Sequence, residues 1–115
     1  MAIDSAVVDS AGTVVFTAVG DKMIATMIFC NTENPDPFNE DNNMVYLDLH
    51  LVKGGGGVMS ASKSNQIIKA LAVPAGETVF FDTERIVLQD TDEVIAFVQS
   101  GSAEFVTCTI STVDI

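Results

Sequence analysis

The stretch MVYLDLHLVK, Met44 to Lys53, decides the class of fold. Val45, Leu47, Leu49 and Leu51 fall on one side of an extended chain, and Tyr46, Asp48 and His50 on the other. That alternation belongs to a strand half buried in an antiparallel sheet. Similar runs rich in Val, Ile, Phe and Thr recur at Thr13–Val19, Lys22–Asn31, Gln66–Val73, Thr78–Leu88, Glu93–Gln99 and Glu104–Ile115. They are separated by turn residues: Val19-Gly20-Asp21, Pro74-Ala75-Gly76-Glu77, Gln89-Asp90-Thr91-Asp92 and Ser100-Gly101-Ser102. No window carries a helical period of useful length. Short strands about 8 to 12 residues apart predict an all-β domain, an antiparallel and jelly-roll-like β-sandwich spanning residues 1–115. Val45, Leu47, Leu49, Leu51, Ile95 and Phe97 are expected to face its core.

Composition narrows the function. Sixteen acidic residues against five basic ones give a formal net charge of -11, so a phosphate backbone is repelled and no basic stripe can form. Nucleic acid is therefore not an expected partner. The acids run from Asp4 to Asp114 without forming a block, as solvated turns and strand faces do. The beginning, MAIDSAVVDSAG, has neither the basic nor the apolar region of a secretion signal, and no run approaches the roughly 18 apolar residues of a membrane span. Cys30 and Cys108 lie in strand-like runs without CxxC spacing, which predicts buried, reduced thiols.

Two segments interrupt the strand rhythm. NTENPDPFNEDNN, Asn31 to Asn43, is a long polar loop stiffened by Pro35 and Pro37, with Phe38 as an aromatic among acids. KGGGGVMSASKSN, Lys53 to Asn65, has the composition of a flexible connection. Its glycines lack the Lys-Ser/Thr and the helix start of a phosphate cradle.

The polar residues do not assemble a catalytic set. His50 is the only histidine and is expected to be a surface strand residue, since a triad or metal centre needs partners this chain lacks. Asp36, Asn39, Glu40, Asp41 and Asn43 offer oxygens of the kind calcium takes, yet their spacing is not that of a DxDxDG loop. The pairs Asp82/Glu84 and Asp90/Asp92 sit in a small domain with no tryptophan platform to make a sugar cleft around them. The expectation is a protein without catalytic residues, metal or cofactor.

A resemblance adds to this reading. Ser64 to Ile115 contains NQIIKALAVPAGET, then ERIVLQDTDEVIA, then the closing run VTCTISTVDI, while MIFCNTEN lies upstream. In this order the residues resemble the small β-sandwich virion structural proteins of tailed bacteriophages, over about Met23 to Ile115. Two departures stand out: the PDPFNED insertion lengthens a turn that is brief in that group, and Thr91 stands where the group's L-x-x-G-D carries glycine. The resemblance implies a non-enzymatic virion subunit, assembled in the host cytoplasm, that partners the major capsid protein or neck and tail proteins. A capsid decoration (cement) subunit is the first expectation, and a neck, tail or fibre-attachment adaptor the alternative. A homo-oligomer, such as a trimer, is implied as well. From another class, a carbohydrate- or calcium-dependent binding module is the competing expectation. The loop carrying Pro35, Asp36, Pro37 and Phe38 is expected to contact the partner, because its prolines reduce the entropy lost on docking and Phe38 is an apolar anchor. The Gly54 to Ser64 connection is the next candidate.

Overall fold

Among the described residues, nine strands form two antiparallel sheets packed as a sandwich. The computed structural model describes residues 2–39, 42–81, 86–101 and 105–115. In chain order the strands are β1 (Ala2–Val8), β2 (Thr13–Thr17), β3 (Lys22–Asn31), β4 (Val45–Val52), β5 (Gln66–Val73), β6 (Thr78–Phe81), β7 (Ile86–Leu88), β8 (Glu93–Ser100) and β9 (Val106–Asp114). The first sheet runs β1-β9-β3-β6, with β7 also paired to β3, and the second runs β2-β8-β4-β5. The pairings are nested: β1 with β9, β2 with β8, β3 with β6 and β4 with β5. Among the described residues no helix is long and apolar enough to cross a membrane.

The alternation of β4 is realised as expected. Val45, Leu47 and Leu49 are fully buried, and Leu51 packs on their cluster. Opposite them the first sheet contributes Met27, Phe29, Val106, Cys108 and Ile110. A side chain the size of Phe29, removed from water completely, contributes about 2 to 3 kcal/mol.

Strand β8 corrects the expected core. Its core side is Val94, Ala96 and Val98, because Ala96 pairs with Leu49 and Val98 with Leu47. Ile95 and Phe97 pair with His50 and Asp48 on the opposite side of the second sheet. Ile95 is nonetheless fully buried, so this strand is covered on both faces.

The cover is the glycine-rich connection, which is not a loose linker. It forms three short 3-10 turns, at Lys53–Gly55, Val58–Ser60 and Lys63–Asn65. Gly12 permits the close approach. Its φ is +106°, and a Cβ there would lie 2.6 Å from both a Phe97 ring carbon and a Val58 methyl.

Three further differences concern boundaries. β1 has no counterpart among the expected strands. The expected run Thr78–Leu88 is two strands, and Asp82 and Glu84 lie outside the described residues. Cys30 and Cys108 are free as expected, but only Cys108 is buried; Cys30 is half-buried on the outer side of the first sheet. Burial in the core pushes the Cys108 thiol up to about 12, which keeps it protonated.

Candidate partner-binding loop

The loop between β3 and β4 is anchored by the last residue of β3. Asn31 is fully buried, and its Nδ2 donates to the carbonyls of Asn43 (2.8 Å) and Val73 (2.9 Å) while its Oδ1 accepts the Glu33 amide (3.1 Å). Its main chain is held too: Asn31 N donates to Glu77 O and Gly76 N to Asn31 O, both at 3.0 Å. One side chain thus joins both ends of the loop to the end of β5. Thr32 fastens the outgoing chain, donating from N and Oγ1 to the Phe105 carbonyl at 2.7 and 2.8 Å.

The tip has its own framework. Asp36 Oδ1 accepts the Phe38 amide at 2.9 Å, a tight turn closed by the side chain, and Oδ2 accepts Asn42 Nδ2 at 2.8 Å. Asn43 Nδ2 donates to Asn34 O at 3.0 Å, and Asn42 N donates to Asn39 O at 3.1 Å. The Asn42 side chain, and after it the Phe38 amide, hold the Asp36 carboxyl below its ordinary value by favouring the charged form. Pro35 lies over Gly76, where a Cβ would come within 3.2 Å of its ring. From this framework Phe38 projects with 95% of its surface exposed. The four residues expected to contact a partner are therefore brought together, and the aromatic does not fold back onto its own domain.

The oxygens of the calcium-binding kind that lie among the described residues of this loop are partly engaged within it. Both oxygens of Asp36 already accept hydrogen bonds, and Asn43 directs its amide nitrogen inward. Glu40 and Asp41 lie outside the described residues. Among the described residues no group of three or more His, Cys, Asp or Glu side chains is placed to hold a metal ion.

The second candidate, Gly54 to Ser64, is built on a different principle. Its backbone amides are taken up by carboxylates from the turn before β8: Gly54 N donates to Asp92 Oδ1 at 3.1 Å and Gly57 N to Glu93 Oε1 at 2.8 Å. Asp92 also accepts the Gln89 amide through Oδ2, and Asp90 accepts the Gly20 amide. The Asp90/Asp92 pair is thus engaged with main chain. At the far end Asn65 donates from Nδ2 to Ser60 O (2.8 Å) and accepts on Oδ1 from Ser62 N (2.9 Å) and His50 Nδ1 (2.9 Å). Because Oδ1 can only accept, His50 carries its proton on Nδ1.

His50 is consequently not a surface residue. It is 7% exposed, edge-on to Phe97 with ring centroids 5.5 Å apart, and serves to hold the connection down. Met59, 98% exposed, is the apolar tip of this segment. The sequence reading missed Asn31, Asn65 and Met59. Only Met59 had a local signal, as a large apolar residue in a run of glycine and serine.

In comparisons with known proteins, no family model matches the chain, and neither a curated protein nor a solved structure does so.

Proposed function

We propose that the chain is a non-enzymatic structural subunit of a bacteriophage virion, a decoration or cement protein that binds the assembled head lattice as a homo-oligomer. The observation that carries this reading is Phe38, held almost wholly in solvent by a loop whose two ends meet on the buried Asn31. An aromatic fixed in that way loses little entropy on entering a neighbour's pocket. Burying it contributes about 2 to 3 kcal/mol per copy, which is weak alone and sufficient when many contacts on a lattice act together.

The strand order supports the reading. With β6 and β7 counted as one interrupted strand, the sheet orders read 1-8-3-6 and 2-7-4-5, an order compatible with a jelly roll. That architecture is frequent in capsid and lectin domains, so it supports the virion reading by analogy. The carboxylates of Asp9, Asp21, Asp36, Asp48, Asp90, Asp92 and Glu93 accept backbone amides, which gives these seven of the sixteen acids a structural role without a cationic ligand.

The test is replacement of Asn34 to Asn43 by an Asn-Gly turn, with the variant produced alongside the capsid proteins of the same genome. The variant should keep its β-sheet circular dichroism and be missing from heads purified by sedimentation. Incorporation at the normal level would place docking elsewhere. Mass spectrometry of separated heads and tails distinguishes the decoration subunit from the adaptor.

A further inference from the structure

Among the described residues, the outer side of the first sheet carries no charge. The register places Ile3, Ser5 and Val7 of β1 opposite Ser111, Thr109 and Thr107 of β9. Beyond β9 come Thr26, Ile28 and Cys30 of β3, and then Phe80 of β6 and Val87 of β7. No described residue on this side of these strands is acidic or basic. The one nearby ion pair, Lys22 with Asp114, belongs to positions that alternate to the other side. At the two margins the apolar side chains stand out: Ile3 is 70% exposed, Phe80 64% and Val87 60%. The middle is low, with small Thr and Ser side chains, and Ser5 and Thr109 hydrogen-bond to each other across it.

We propose that this side is where a second copy of the chain packs, sheet against sheet, about a twofold axis. Charge selects the occupant. Each copy carries a net charge of -11, so two copies can meet without burying unpaired carboxylates only where neither presents any. A cationic partner would instead be drawn to the acidic turns. Size is adequate: four strands and about seven residues of β9 make a patch of roughly 19 by 23 Å. Two such patches bury on the order of 1,000 Å² with side-chain relief, near the lower end for a specific pair. An axis running between β9 and β3 lays Ile3 and Val7 of one copy over Phe80 and Val87 of the other, so that raised margins meet raised margins around a hydroxyl-rich centre. Aligned packing of this kind is how two sheets ordinarily stack. The inference does not depend on the virion reading.

Sedimentation velocity from about 1 to about 200 μM tests it, with a dimer of micromolar Kd expected. Added salt should tighten the pair at least about threefold, because it screens the mutual repulsion of two acidic chains while the described residues of the contact offer no ion pairs to lose. The double variant Phe80→Glu with Val87→Glu alters exposed side chains, so its circular dichroism should be unchanged while its Kd weakens at least about 100-fold. Phe38→Ser and Met59→Ser, away from this face, should leave Kd as it was. Alkylation of Cys30 should slow on dimerisation in the native protein and not in the double variant. A chain that is monomeric throughout, a trimer, or a dimer that survives the double substitution would overturn the proposal.

Discussion

Of the two connections that flank β4, one behaves as its composition suggests and the other does the opposite. The β3–β4 loop is rich in proline and side-chain amides, so local rigidity is expected of it, and it uses that rigidity to hold Phe38 away from the protein. The β4–β5 segment has four consecutive glycines, so freedom is expected of it, yet it is tied to the second sheet through Asp92, Glu93 and His50. Glycine-rich chain is flexible when nothing accepts its amides. Here Asp92 and Glu93, more than thirty residues later, accept two of them, and the missing side chains let the backbone come close. What decides order is whether distant acceptors are in place.

Breaking the first loop's anchor should have the largest effect. Asn31→Asp keeps the shape but replaces a donor to two carbonyls with a buried carboxylate facing them. A loss of about 4 kcal/mol is expected in urea unfolding, with the loop released from β5. Breaking the second segment should cost less. Asn65→Ala removes three hydrogen bonds at a partly exposed site, for about 2 kcal/mol, and the His50 ring resonances should shift toward those of a solvated imidazole in NMR spectra.

A smaller change should sharpen the contrast by strengthening the turn on which the second segment rests. Thr91 has φ of +75°, a region that a β-branched residue enters only under strain, and its amide is fixed on Ala18 O at 2.8 Å. Thr91→Gly should stabilise the protein by about 1 kcal/mol and raise Tm by several degrees.

The smallest effect concerns the tip of the first loop. A carboxyl whose pKa is lowered by folding contributes above the unfolded value, about 4 for Asp, and ceases to do so as pH falls through the lowered value. Exchange of the Phe38 amide should therefore accelerate at acid pH while the core amides stay protected. Equal acceleration in Asp36→Asn and the parent chain would show that the carboxylate is not what holds the tip.

These particulars show what a linear reading reaches. Runs that alternate cleanly were legible: β3 and β5 begin and end where the sequence places them, and β4 differs by one residue at each end. β8 was misread because a strand covered on both faces has apolar residues at every position from Val94 to Val98, and alternation then says nothing about which side is inward. β1 was passed over because Asp4 and Ser5 interrupt its apolar residues and its partner is about a hundred positions away. Phe38 was recognisable as an aromatic in a polar loop. Asn31 was not recognisable as its anchor, since the carbonyls it joins belong to residues 12 and 42 positions further on.

The nesting of strands also sets an order of events during synthesis. β1 leaves the ribosome long before β9, its only sheet partner among the described residues, so the first sheet cannot close until residues beyond Val106 have emerged. Until then the growing chain carries the apolar edge of Ile3 and Val7 unpaired, as a template for any other extended strand. Stalling between β1 and β9 would therefore favour aggregation over the native chain.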